Sequence, residues 1–118
     1  MLASLVQALF WSRAKKATVT KEVEALVEEV KKLLCQQKEA SRVNDKIPPY
    51  LPLVHVRDTL FFNNATRKKK FNAKERLAIW GRVVKMLGED RRIKTVPHMV
   101  EGEQQATWEW VSKIMVNQ

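Results

Sequence analysis

Four consecutive cations, Arg67-Lys68-Lys69-Lys70, are followed at a four-residue spacing by Lys74. Side chains of this kind neutralise phosphates, and a helix start beside them adds its own partial positive charge. The same run also reads as a solvated loop, or as a basic tract that meets an acidic protein. Arg82 and Lys85 follow, and they are the cations suited to base edges on that stretch. No Asn or Gln stands in its middle to read adenine, so any duplex contact there implies weak sequence preference. Arg91, Arg92 and Lys94 reach a neighbouring phosphate or minor groove in one reading. In the other they keep an edge strand soluble. Phe62 and Phe71 bracket the basic run, and an exposed apolar pair beside positive charge suits docking of a partner's amphipathic helix.

Other chemistry has less support. His55 and Asp58 are three residues apart but have no nucleophile nearby. Asp58 is expected to accept a hydrogen bond from Arg57, His55 or a loop amide. His55, His98 and Cys35 lack zinc-site spacing. There is no glycine-rich phosphate loop and no carboxylate pair in an apolar setting. No enzyme, cofactor or small-molecule substrate is expected. One cysteine in the chain excludes an internal disulfide framework.

The 118 residues suffice for one domain, and a 45% hydrophobic, 30% charged composition is globular rather than disordered. The net charge of +9 favours a polyanion or acidic surface as partner. Residues 67–94 alone hold eleven basic and three acidic residues. The charge is therefore concentrated on the segment that carries the candidate contacts.

The elements that must position these residues follow from pattern. Residues 1–11 are an apolar run, too short for a bilayer, which takes about 20 residues. A short packing helix, a signal-peptide core and the end of a membrane span all remain open for it. Residues 20–42 repeat apolar side chains at Val23, Leu26, Val27, Val30, Leu33 and Leu34, one helical face, with Thr20 as cap and a Glu28–Lys32 pair on the wet side. Three prolines make Ile47–Pro52 an extended connector. Residues 53–62 fit a short helix, and Asn63-Asn64-Ala65-Thr66 reads as its stop. Asn72 and Glu75 form a capping-box pattern that opens a helix ending at Gly88, with Leu77, Trp80, Val83, Val84 and Leu87 inward. Strands are expected over 91–96 and 106–111, joined by a loop over Pro97–Gln105. Trp108 and Trp110 share a strand face and are expected to be buried against helix 20–42.

Helix, short helix, basic helix and hairpin is the order of a winged helix, an α+β helix-turn-helix with a two-stranded wing, here with an additional N-terminal helical segment. His55-Val56-Arg57-Asp58, then Leu60, Arg67-Lys68-Lys69, Trp80, Arg92-Ile93-Lys94-Thr95, Gly102 and Trp108-Glu109-Trp110 occur in one ordered set. The set resembles the C-terminal winged-helix (MSC) domain of the LEM-domain inner nuclear membrane proteins, over about residues 22–111. The interval between the first motif and Trp80 is a few residues longer than the family pattern, and Lys94 stands where Arg is expected. The resemblance implies a nucleoplasmic domain of a membrane-anchored parent at the inner nuclear membrane. It implies residues 1–19 as a juxtamembrane or N-terminal helical segment and residues 20–118 as the domain. It also implies recruitment and activation of an ESCRT-III-like charged multivesicular body protein for nuclear envelope sealing, with DNA or chromatin binding as a second activity. The alternative from the residues alone is a DNA-binding winged helix of weak sequence preference.

Overall fold

Neither glycine nor proline interrupts the first 47 residues, and in the computed structural model the chain uses most of that stretch as one helix, α1 (Leu2–Val43). The structure describes residues 2–112, with side chains from Lys15 onward. The expected start at Thr20 is therefore not a start: Thr18, Val19 and Thr20 lie inside the helix. Their β-branched side chains lower helix propensity by well under about 1 kcal/mol each, too little to break a helix with tertiary support. The run that contains Trp11 has helical backbone, and its side chains lie outside the described ones. No helix among the described residues is long and apolar enough to cross a membrane.

The remaining order is β1 (Tyr50–Pro52), α2 (Leu53–Arg57), a π-helical turn (Asp58–Phe62), α3 (Ala65–Lys70), α4 (Ala73–Gly88), β2 (Ile93–Val100) and β3 (Glu103–Trp110). The strands form an antiparallel sheet in the order β1-β3-β2. Of the connector Ile47–Pro52 the last three residues are extended and pair with β3, Leu51 opposite Trp108, while Ile47 and Pro49 are at bends. The Asn63–Thr66 stop is also the start of a further helix: the Asn64 side chain accepts from the Arg67 amide and caps α3.

The core gathers on α1. Val23, Leu26, Val27, Val30 and Leu34 are buried there, together with Val56, Phe61, Phe71, Ile93, Trp108 and Trp110. From α4 come Ile79, Trp80, Val83 and Leu87. Leu77, expected inward, is 60% exposed. Ile79, Trp80, Val83 and Leu87 form a tighter arc at helical spacing, and α4 is rolled so that this arc faces the core. Trp80 and Trp108 meet with ring centroids 5.7 Å apart. The burial expected of Trp108 and Trp110 is observed.

The hairpin is longer and its turn tighter than the sequence pattern indicates. Only Glu101 and Gly102 lie between the strands, both at positive φ (51° and 81°), the conformation of a type I′ turn. Pro97 is not in the loop but in β2, an edge strand. Val100 and Glu103 close the turn, so strand alternation aims the Pro97 nitrogen away from β3, where no ladder bond is lost. The turn gives a direct test. Gly102→Ala is expected to lower the unfolding free energy by about 1–2 kcal/mol, and Glu101→Asn to raise it by up to about 1 kcal/mol. Urea unfolding with an unchanged m-value would show both; equal midpoints for the three proteins would contradict the assigned turn.

Candidate functional site

Arg67 heads the basic run but faces inward. Its Nε donates to Glu22 Oε1, one terminal nitrogen to Glu29 Oε2 and the other to the Leu60 carbonyl at 2.7 Å. Burial opposes its charge, but the Glu29 and Glu22 carboxylates outweigh that and raise its pKa above the usual arginine value. One guanidinium thus ties α3 to α1 and to the π-helical turn. It is not available as a phosphate contact, which corrects the expectation for this residue. Lys70 points the same way, its Nζ 3.9 Å from Glu22 Oε2 and 5.6 Å from the centre of the Phe71 ring.

Phe71 is likewise corrected. It is 1% exposed, edge-on to Phe61 at 6.4 Å, and forms part of the core rather than a docking surface. Lys15 of α1 lies 5.1 Å over its ring and also bonds Glu75 Oε2 at 2.9 Å. Glu75 holds the expected capping box with Asn72. The amide bond from Asn72, then the Lys15 ammonium, hold its carboxyl below the usual range. Phe62 is half-buried under two guanidiniums, Arg57 at 4.7 Å and Arg76 at 5.7 Å. Arg76, which the pattern reading passed over, also donates to the Lys68 and Phe71 carbonyls at the end of α3.

On the wing side, Arg92 grips Asp90 through two bonds of 3.0 and 2.8 Å and lies 5.4 Å over Trp110. The Arg92 guanidinium holds the Asp90 carboxyl far below the usual range, with Lys31 adding to the effect at 3.6 Å. Lys31 also takes the Glu28 partnership expected for Lys32. Arg57 Nε donates to Asp58 at 3.1 Å, so Asp58 accepts as expected. His55 is exposed, His98 stacks on Tyr50 at 3.9 Å, and Cys35 lies on α1. Among the described residues no three His, Cys, Asp or Glu converge on a metal position.

Apart from Lys70, the exposed cations among the candidate contacts are Lys68, Lys69, Lys74, Arg82, Lys85, Arg91 and Lys94, and Lys16, Lys21, Lys32, Arg42 and Lys46 are exposed as well. None of them makes an ion pair among the described residues. On α4, Lys74, Arg82 and Lys85 run along the outer face, between exposed Leu77 on one margin and Met86 on the other. Ala78 and Gly81 leave the middle of this stripe low. Glycine in mid-helix has no internal justification here, since a Cβ at residue 81 would meet nothing within 4 Å.

These features define a small α+β domain that exposes candidate contact cations on α3, on the outer face of α4 and around the start of β2. The profile of the Man1-Src1p-C-terminal domain matches residues 1–113, and the chain belongs to that family. It is similar to the mouse inner nuclear membrane protein Man1, 28% identical over 98 residues, which is 82% of this chain and 10% of that protein. The chain thus corresponds to about a tenth of that relative's length. No solved structure matches.

The division between clamped and exposed cations is testable by denaturation. Arg67→Met leaves buried Glu22 with only its long contact to Lys70 and should cost about 3 kcal/mol. Replacing Lys68 and Lys69 together by Gln should change stability by less than about 0.5 kcal/mol each. Gly81→Ala should add about 1 kcal/mol.

Proposed function

We propose that the chain is the nucleoplasmic winged-helix domain of an inner nuclear membrane protein and acts there as an adaptor. It recruits and activates an ESCRT-III-like charged multivesicular body protein for sealing the nuclear envelope. The outer face of α4 is the docking surface, where Lys74, Arg82 and Lys85 meet carboxylates and Leu77 and Met86 meet apolar side chains. Family membership and the relative's location support the placement. The order α2, α3, α4, then the β2–β3 hairpin supports the winged-helix reading.

The observation that carries the protein-partner reading is Leu77, 60% exposed beside the cations. A phosphate backbone would leave it wet, whereas an amphipathic helix would cover it. DNA or chromatin binding is the second reading. It is favoured by exposed Lys68 and Lys69 next to the start of α4, where the helix dipole adds to their field.

Binding to the purified charged multivesicular body protein and to short duplex DNA, each across a salt series, separates the two. Phosphate binding falls log-linearly and steeply between about 50 and 200 mM salt; an interface with an apolar component falls less. Charge reversal at Lys74, Arg82 and Lys85 is expected to weaken the protein complex at least tenfold, and Leu77→Ser to weaken it without altering the salt slope. Protein binding indifferent to both variants, beside steep DNA binding that loses its slope on charge reversal, would replace the adaptor with the DNA reader.

A further inference from the structure

Two contacts set the direction of α4 along α1. Lys15 bonds Glu75 in the first turn of α4, and Lys31 meets Asp90 just past its last residue. These contacts stand 16 residues apart on α1, from 15 to 31, and α4 itself has 16 residues. The two helices therefore run parallel, and the start of α4 marks one end of the packed body. The hairpin tip marks the other, where Glu101 lines one cleft with Gln37 and Pro48. α1 begins at Leu2, thirteen residues ahead of Lys15, so its leading backbone extends about 20 Å past the first end. The longest dimension of the molecule is 62 Å, the length of α1 alone.

Charge is distributed along this axis. Over residues 15–22 and 68–75 the exposed charged side chains are Lys16, Lys21, Lys68, Lys69, Lys70 and Lys74, all cations. The two carboxylates in those stretches are withdrawn: Glu22 is buried and held by Arg67, and Glu75 is bonded to Lys15. The positive end of the α4 dipole points the same way. At the opposite end the exposed charges are mixed, with Arg42 and Lys46 among Glu39, Asp45, Glu101 and Glu103. The leading part of α1 has a different composition again. Residues 1–12 contain no Asp, Glu, Lys or Arg, and Trp11 is followed by Arg13. An uncharged run, then an aromatic residue, then cations is the pattern of a helix meeting a bilayer interface.

From the leading turns of α1 and the lysines gathered at their base, we propose that this end of the domain lies against an anionic phospholipid surface. α1 is directed into the bilayer, and Lys16, Lys68 and Lys69 rest on the headgroups. A duplex laid across these lysines would have to clear about 20 Å of projecting helix, whereas a bilayer admits it. Lys70, 3.9 Å from Glu22 Oε2, contributes less. The outer face of α4 runs along α1, across the lipid plane, and stays open to a partner. The inference rests on the membrane placement proposed above but not on the adaptor role.

The test is flotation of the whole chain at about 0.1 M salt with phosphatidylcholine vesicles, alone or with about 30% phosphatidylserine. The serine lipid is expected to strengthen binding at least tenfold. A lysine at an anionic surface adds about fivefold, so Lys68→Gln with Lys69→Gln should weaken binding at least tenfold, and Lys68→Arg with Lys69→Arg should retain it. Arg42→Gln with Lys46→Gln removes the same charge from the opposite end and should change binding less than twofold. In bicelles of the same lipids that carry a gadolinium-chelate headgroup, the Lys68 and Lys69 amides should broaden and the Gly102 amide should not. Equal binding to the two vesicles, equal losses from the two Gln variants, or equal broadening at Gly102 overturns the proposal. So does a Lys68/Lys69 variant that loses duplex DNA binding while vesicle binding is unchanged, which would give these lysines to nucleic acid. The charged multivesicular body protein is absent from these measurements, so failure here and failure of the adaptor reading are seen separately.

Discussion

Glu22 lies on the stripe of α1 that otherwise carries Val23, Leu26, Val27 and Val30 into the core. A carboxylate held there must meet a cation or lose its charge. Arg67 is that cation, and its geometry does more than neutralise. The fork reaches Glu22, Glu29 and the Leu60 carbonyl together, so α1, α3 and the π-helical turn are fixed by one planar group. Lysine has no such fork. With α3 held, its capped start and its end under Arg76 are set, and Phe71 is carried into the core just before α4 begins.

The same logic sorts the charge of the whole chain. Carboxylates at Glu22, Glu29, Asp58, Glu75, Asp90 and Glu109 hold particular cations at the joints between elements. Lys38, for example, ties α1 to Glu109 of β3 at 2.8 Å. Cations spent in this way contribute to architecture. Those left over, on α1 as well as on α3, the outer face of α4 and the start of β2, produce the field that a partner meets. Net charge alone does not distinguish the two populations; their neighbours do.

Much of this was legible in the residues. The α1 stripe, the Asn72–Glu75 box, the outward Lys74, Arg82 and Lys85 and the buried tryptophan pair all follow from spacing. What was hidden depended on partners distant in the chain. Asn64 caps a helix with the same chemistry that ends one, so a stop and a start look alike in sequence. Three residues of β1 are too few to show a period, and only their register with Trp108 makes them a strand. Arg67 and Lys68 are neighbours in one basic run, and nothing local tells the buried one from the exposed one. The available signal was on the other side of the pair: two glutamates, Glu22 and Glu29, seven residues apart on the edge of an apolar stripe, require a cation. Leu77 was assigned inward because it fits the helical period nearly as well as Ile79 does, and the choice is made by which arc α1 and the sheet can cover.

The continuity of α1 also sets a phase. A helix without glycine or proline advances about 1.5 Å and turns about 100° with each residue, and its 42 residues span about 63 Å. Lys15, a third of the way along, already grips Glu75 and Phe71. The first turns and the domain are therefore geared on one shaft rather than joined by a tether. One residue inserted ahead of Lys15 would turn whatever the first turns hold by more than a quarter of a revolution relative to the α4 face. Length in that stretch is a setting of direction, not only of reach.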